Sequence, residues 1–477
     1  MRFQKPTSTY HSLLVAYHPP SSPGKDLQLA MFDDNSYRPD EYQKFERTPP
    51  QWFTDAKLGI FVHWGAYSVA AWAEPVGELG DADHSHSFAH IPYSEWYANT
   101  IRIEGSPAQQ HHREVFRDEP YENLLDLWKA ENFDADAVLA LVKHTGARYF
   151  VPTTKHHDGI TLWDAPSSDG LNTVKRGPHR DLISEFAAAT RRAGLRFGVY
   201  YSGGLDWHFA QTPPLEDMAQ LDSVRANDDA YAEYAYTHVK DLIDRFSPDL
   251  LWDDVDWPDP GKTAGPHSLI SLFEHFYRKV PDGVINDRWG NTHWDFRTTE
   301  YQVGNSDECS EPWENTRGIG FSFGHNQLED ESHLLNGEAA IRYFVDIVSR
   351  GGNLLLNLGL KADGSVPPLQ QQTLESLGDW NAINGTVIFG SHRVPMSIAS
   401  PSETPWVRWT STDGRIHAVV DADGKTDLSI VPSAIVAESA RLADGSKVDV
   451  TIGADHVSVE LPTGVRVGPR VITFDAT

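Results

Sequence analysis

The sequence predicts an α/β fold: a (β/α)8-like barrel made irregular by insertions, followed by a C-terminal all-β sandwich. Three observations point there. A helix, a glycine and a short apolar strand recur in that order along most of the chain, the pattern of parallel βαβ units. No G-x-G-x-x-G opens a helix after the first strand, LGIFVHWG, as a doubly wound dinucleotide fold would require. Beyond residue 385, apolar and polar residues alternate around Asp-Gly pairs, as in β-hairpins.

The elements follow from the N-terminus. Residues 1–50 are rich in Pro and Ser without sustained periodicity and read as an arm or linker. The barrel is expected over residues 51–384. Residues 133–145 place Val138, Leu141 and Val142 at helical spacing, Gly146 suits a left-handed cap, and RYFVPT is a strand whose polar tail is Lys155, His156, His157 and Asp158. Residues 181–193 repeat the pattern with Leu182, Phe186 and Ala189 inward, then Gly194 and LRFGVYYSG. A third copy runs from a helix at 234–246 into DLLWDDVDW, and a later one from AAIRYFVDIVSR through Gly351 and Gly352 into NLLLNLG. Residues 385–477 form the sandwich, with hairpins expected at Asp413-Gly414, Asp423-Gly424 and Asp444-Gly445. Its simplest role is structural, and carbohydrate binding is the lesser alternative.

Composition excludes several classes of function. A formal charge of -28 would repel phosphate backbones, so no nucleic acid is expected. No apolar run approaches the length of a membrane span, and 15 Trp, 17 Tyr and 21 Phe are too many for a disordered chain. The N-terminus lacks a secretory apolar core, and the single cysteine, Cys309, excludes an internal disulfide and a thiolate zinc cluster. The expectation is a soluble cytoplasmic protein, with a homo-oligomer left open. The tryptophan excess calls for an explanation.

In a barrel the chemistry sits at the C-terminal strand ends. Those ends supply His63 and Trp64, then His156, His157 and Asp158, then Tyr200, Tyr201 and Trp207, then Trp252, Asp253, Asp254 and Asp256. Aromatic faces stack on sugar C–H groups while imidazoles and carboxylates bind hydroxyls, so the set suits a carbohydrate pocket. Taken singly, a strand-end Trp or Tyr is as often a core residue. Alternation puts Trp252, Asp254 and Asp256 on one face and Asp253 on the other. A second carboxylate, Glu300, ends FRTTEY. Two carboxylates flanking a glycosidic bond, one ionised and one protonated, are what retaining glycoside hydrolysis needs. Glu311, Glu314 and Glu95 compete for the acid role.

Twenty-two histidines, with pairs at His111-His112 and His156-His157 and the spacing His84-x-His86, raise a metal hypothesis. No H-E-x-x-H is present, and adjacent histidines on a strand face opposite ways. Neutral imidazoles as hydroxyl partners explain His63, His156 and His157 without an ion, so no metal and no cofactor is expected.

The motifs WFTDAKLGIFVHWGAYSVAAW, SEWY, GARYFVPTTKHHDGITLWD, RDLISEF, GVYYSGGLDW, SPDLLWDDVDWP, NDRWG, RGIGFSFG and GGNLLLNLGLKADG, in this order over about residues 50–385, resemble glycoside hydrolase family 29, the α-L-fucosidases. The resemblance implies a TIM-type barrel with a C-terminal β-sandwich and a metal-free retaining double displacement on terminal α-L-fucosides. By motif, Asp254 matches the nucleophile and Glu300 resembles the acid/base of the bacterial branch. His63, Glu95, Trp96, His156, His157, Tyr200 or Tyr201, Trp252, Arg288 and Phe323 match positions lining the fucose pocket. Asp256 departs from the family's frequent Gly and would add a carboxylate beside the nucleophile, raising the pKa values of a coupled set. The expected partner is a fucosylated oligosaccharide or small glycoside. Another retaining exo-glycosidase or a transfucosidase, a catalytically silent fucose-binding protein and a barrel metallohydrolase are the alternatives.

Overall fold

The computed structural model describes residues 38–78, 88–302, 311–454, 456–464 and 466–477. Eight parallel strands, β1 (Leu58–His63), β2 (Tyr149–Lys155), β3 (Arg196–Ser202), β4 (Leu250–Asp254), β5 (Val284–Ile285), β6 (Arg297–Glu300), β7 (Trp313–Gly318) and β8 (Asn353–Gly359), curl into one sheet. Their order is β5-β4-β3-β2-β1-β8-β7-β6. β1 pairs with β8 as a closed barrel demands. Among the described residues β5 and β6 make no ladder, so the barrel stays open on that side.

The helices form where the periodicity places them, and side chains fix their ends. Asp134 accepts hydrogen bonds from the backbone N–H groups of Asp136 and Ala137, capping the helix Ala135–His144. Asp181 accepts from the Ser184 N–H at the start of the helix Leu182–Ala193, and Gly194, at φ +76°, ends it in the left-handed conformation a Cβ would oppose. The third helix, Asp229–Phe246, begins five residues before the predicted 234, because Asp228 accepts from the Tyr231 N–H and nucleates an extra turn. Helix faces bury Leu, Ile, Val and Phe against the outside of the strands. The barrel interior is filled by Phe61, Tyr149, Val151, Tyr200, Leu250, Trp252 and Leu355, among others.

The arm expected at residues 1–50 is described only from residue 38. There Tyr42 and Phe45 are buried against Phe273, and Arg47 pairs with Asp295 at 2.9 Å.

The C-terminal strands are β9 (His392–Arg393), β10 (Ser402–Glu403), β11 (Trp406–Thr412), β12 (Arg415–Asp421), β13 (Gly424–Leu428), β14 (Ile435–Leu442), β15 (Asp449–Ile452), β16 (Val457–Leu461) and β17 (Arg470–Ala476). They form a six-stranded sheet, β10-β11-β12-β17-β14 with β9 on β11, and a three-stranded sheet, β13-β16-β15. Val407, Trp409, Leu428, Val457 and Phe474 lie in the core between them. Of the three Asp-Gly pairs, Asp413-Gly414 is a two-residue hairpin with φ of +48° and +74° between the paired Thr412 and Arg415. Asp444-Gly445 makes a local turn in which the Leu442 N–H donates to the Ser446 carbonyl. Asp423-Gly424 differs from expectation: β12 pairs with β17 and β13 with β16, so this turn carries the chain between sheets. The tryptophans of this region, Trp406 and Trp409, are buried. Among the described residues no helix is long and apolar enough to cross a membrane.

Candidate active site

The C-terminal ends of β1 to β4 and β6 converge on one pocket. Asp254 closes β4 and Glu300 closes β6, on either side of the open seam. Between them stands Arg288, on the connection after β5. Its Nη1 donates to Asp254 Oδ1 at 2.9 Å, its Nη2 to Glu300 Oε2 at 2.9 Å, and its Nε to Thr298 Oγ1 at 3.1 Å. The guanidinium lies 4.7 Å over the Trp252 ring. Asp254 Oδ2 also accepts from the Tyr200 hydroxyl at 2.9 Å, and Glu300 Oε1 from the Tyr93 hydroxyl at 3.0 Å.

This surrounding drives the two carboxyls apart. Burial alone would raise Asp254, but the Arg288 charge and the hydrogen bonds from Arg288 and Tyr200 outweigh it and hold the group below the usual carboxylate range. Burial raises Glu300, the Asp254 charge adds to the rise, and Arg288 and Tyr93 offset it only in part. One site thus holds an ionised carboxylate beside a carboxyl biased toward its proton.

The histidines are neutral acceptors. His63 is pushed down to about 4 and His157 to about 3, in both cases chiefly by burial. Ser202 Oγ donates to the Leu205 carbonyl, so at 2.6 Å it accepts from His157 Nδ1 and leaves Nε2 as a lone pair 3.8 Å from Asp254 Oδ2. Asn357 Nδ2 donates to the Phe323 carbonyl, so its Oδ1 accepts from His63 Nδ1 at 2.7 Å. Two imidazoles are therefore fixed in the tautomer that offers Nε2 to a hydroxyl donor. His156 packs between them, 5.5 Å from His63 and 4.0 Å from His157 by ring centroids, and its buried Nδ1 makes no hydrogen bond to described residues. Trp96 stands edge-on to His157 and Trp207, and Phe323 packs on His63 and Tyr93. Glu95, pushed up to about 7 mainly by burial, accepts from the Gly324 N–H at 2.7 Å and Ser322 Oγ at 3.0 Å, fixing the loop that carries Phe323.

Thus His63, Glu95, Trp96, His156, His157, Tyr200, Trp252, Asp254, Arg288, Glu300 and Phe323 are brought together. Several expectations are corrected. Tyr201 points to the opposite face of β3, where its hydroxyl meets His238 Nδ1 at 3.2 Å, because neighbouring strand residues alternate. Asp256 does not share the Asp254 face. The strand ends at Asp254, Val255 and Asp256 take φ of +63° and +81°, and Asp256 turns to Arg225 at 2.9 Å and Lys262 at 2.7 Å. Trp64 lies in the layer between strands and helices, beside Trp128, not on the pocket face. Glu314, second residue of β7, sits deep in the barrel, accepting from Trp252 Nε1 at 3.0 Å and from the Tyr149 hydroxyl, and burial pushes it up to about 7. Glu311 pairs with Arg297 at 2.9 Å ahead of β7.

Tyr93, Ser202 and Asn357 were missed from the sequence. Tyr93 stands two residues before Glu95, at the start of the short helical turn Ser94–Trp96, and an aromatic beside a candidate acid is a usable signal. Asn357, a lone amide among apolar residues of NLLLNLG, is another, since a buried amide needs partners. Among the described residues no group of three or more His, Cys, Asp or Glu is placed to hold a metal ion. His111 and His112 bind the Tyr97 hydroxyl, and His84 and His86 lie outside the described residues.

A family model described as Alpha-L-fucosidase matches residues 27–386. Similar proteins include an "Alpha-L-fucosidase" of Dictyostelium discoideum, 30% identical over 404 residues covering 83% of this chain and 82% of that protein. Among solved structures, Thermotoga maritima alpha-fucosidase in complex with a mechanism based inhibitor superposes with a TM-score of 0.82 at 39% identity, covering 92% of this chain and all of that one. A Thermotoga maritima alpha-L-fucosynthase carrying an Asp-to-Gly change, in complex with alpha-L-Fuc-(1-2)-beta-L-Fuc-N3, gives 0.83 at 40% identity, covering 92% of this chain and 99% of that one.

Proposed function

The chain belongs to the α-L-fucosidase family of glycoside hydrolases, and on that premise we propose a retaining exo-α-L-fucosidase in which Asp254 is the nucleophile and Glu300 the acid/base. The observation that carries this assignment is Arg288, which donates to both carboxylates while their proton affinities are driven in opposite directions. Two carboxyl groups held by one guanidinium are close neighbours, in keeping with the separation of about 5–5.5 Å that retention uses. The solved relatives with a mechanism-based inhibitor and with an Asp-to-Gly fucosynthase change support the same chemistry.

In the first step an Asp254 oxygen bonds to the anomeric carbon as the glycosidic C–O bond breaks, and Glu300 gives its proton to the departing oxygen. In the second, Glu300 removes a proton from water, the water oxygen bonds to the anomeric carbon, and the ester to Asp254 breaks. Nε2 of His63 and of His157 accept sugar hydroxyls, and Trp96 and Phe323 give the ring apolar walls. Apart from the Arg288 cation and the Asp254 anion the pocket is close to neutral, as suits an uncharged fucosylated glycoside.

The test is turnover of an aryl α-L-fucoside. Asp254→Ala should fall below a few per cent of wild-type kcat, and Glu300→Ala should lose activity that azide restores. Retained turnover in the first, or an unchanged rate in the second, overturns the respective assignment.

A further inference from the structure

Lys155 ends β2 in the motif TTKHHDG, and no step of the proposed reaction uses it. Alternation would send it into the barrel interior after Tyr149 and Val151. A register shift against β3 between Thr153 and Lys155 turns it instead into the layer behind the strands, where it pairs with Tyr201. None of its side chain is exposed, and the ammonium lies 4.7 Å over the Tyr201 ring. A buried ammonium is costly unless its donors are met. Here Nζ donates to Asp206 Oδ2 at 2.9 Å, to the Tyr231 hydroxyl at 3.1 Å and to the Leu205 carbonyl at 3.3 Å.

The Leu205 contact leads back to the pocket. The same carbonyl accepts from Ser202 Oγ at 2.7 Å, and Ser202 Oγ accepts from His157 Nδ1 at 2.6 Å. A hydroxyl has one proton to give. While Ser202 spends it on Leu205, the imidazole must be the donor, and His157 Nε2 keeps its lone pair. Were the Leu205 carbonyl to turn away, the hydroxyl would donate to Nδ1 and the imidazole proton would move to Nε2, which stands 3.8 Å from Asp254 Oδ2. The pocket would lose a hydroxyl acceptor, and the nucleophile would gain a donor that weakens it. Lys155 grips the peptide between Leu205 and Asp206 from both sides, by the carbonyl and by the Asp206 carboxylate. The Trp207 N–H, donating to the His157 carbonyl at 2.8 Å, ties the next residue to β2 independently. The Lys155 charge acts in the same sense, since it helps to keep His157 from taking a second proton.

We propose that Lys155 is a positioning residue of the reaction: by fixing the Leu205 carbonyl it commits the Ser202 proton and holds His157 in the tautomer that offers Nε2 to a sugar hydroxyl. This role rests on His157 being a hydroxyl acceptor, as proposed for the pocket.

The experiment reads tautomer and turnover separately in the full chain. With nitrogen-15-labelled histidine, the imidazole signals of His157, identified by their loss in His157→Gln, should show an unprotonated Nε2 in the wild type and a protonated one in Lys155→Met. Lys155→Met should lower kcat/KM for an aryl α-L-fucoside about tenfold, yet in a His157→Gln background it should cost less than about twofold more. Should Lys155→Met fail to fold, Lys155→Met/Asp206→Leu, which leaves neither member of the buried pair without its partner, should give the same results. His157 signals that match the wild type in a folded variant, losses that multiply in the double variant, or a wild-type Nε2 that already carries the proton would overturn the role of Lys155. If His157→Gln keeps the wild-type kcat/KM while the tautomer still answers to Lys155, the acceptor role of His157 fails and the control of its tautomer stands.

Discussion

Replacing Arg288 by Met keeps much of the stem that packs on Trp252 but removes the guanidinium bridging Asp254 and Glu300, whose side chains are 14% and 9% exposed. Two nearly buried carboxyls then face each other without a cation. Losing one partner of a buried ion pair costs about 3–5 kcal/mol, and like charges at close range cannot both ionise, so the two come to share a proton. If that cost falls on the transition state, kcat/KM drops by about 10²- to 10⁴-fold. The direction in pH follows from Asp254. Its carboxyl is held low largely by Arg288, so in the variant it rises, and the acid limb of kcat/KM for an aryl α-L-fucoside should move up by at least about one pH unit. Arg288→Lys restores the charge but not the fork that reaches both partners, so it should recover only part of the rate. If Arg288→Met keeps more than a tenth of wild-type kcat/KM and an unmoved acid limb, the guanidinium does not set the two carboxyls apart.

Four further outcomes follow. Glu314→Gln should keep kcat within about threefold, because the residue lies below the pocket. Its folded pKa of about 7 lies above the ordinary 4.5, so it favours the fold at low pH and that contribution is lost as pH rises from about 4.5 to 7. The thermal midpoint of Glu314→Gln relative to wild type should therefore be higher at pH 8 than at pH 5, and a pH-independent difference would count against a buried neutral Glu314. Asp256→Asn keeps a residue tolerant of positive φ and gives up the ion pairs to Arg225 and Lys262, which lie away from the Asp254 face. Its pH–rate profile should match wild type, and a moved acid limb would show that Asp256 does couple to Asp254. Asn357→Ala frees His63 Nδ1, and losing about 1–2 kcal/mol of orientation should lower kcat/KM roughly tenfold with an unchanged melting profile of the β-domain; an unaffected rate would remove His63 from substrate binding.

What could be read from the sequence, and what could not, divides along physical lines. Asp254 was legible because two leucines followed by acids make no sense on a solvated strand, and Trp252 and Asp254 share the inner face as alternation requires. The same rule failed two residues later, since nothing in the composition of Val255 and Asp256 announces the positive φ angles that end the strand. Tyr201 was within reach. Tyr200 is paired in register with Trp252 across β3 and β4, and residues in register share a face, so fixing the parity of one strand fixes the other. Parity also sends Trp64 outward once His63 points in. The tryptophan excess is therefore mostly core, with Trp96, Trp207 and Trp252 at the pocket. Tyr93 reaches Glu300 across 207 residues of chain, a contact that needs the whole barrel to exist.

The missing β5–β6 ladder has a chemical use. A closed barrel would occupy that seam with backbone hydrogen bonds, which satisfy strand N–H and C=O groups and leave the carboxylates at the strand ends without a counter-ion. Here a single backbone hydrogen bond, from the Asp295 N–H to the Ile285 carbonyl at 2.8 Å, is joined by side chains. Asp295 accepts from the Ile285 N–H at 2.9 Å and from the Tyr277 hydroxyl at 2.8 Å, and Arg47 from the N-terminal segment pairs with it. That clamp shuts the seam low down and leaves room above it for Arg288 to stand between Asp254 and Glu300. The arrangement ties catalysis to the N-terminal segment: loosening Asp295 would let β5 and β6 part, and the guanidinium would lose one carboxylate or the other. Opening the barrel on this side is thus what allows a single cation to hold one carboxyl ionised while its neighbour keeps a proton.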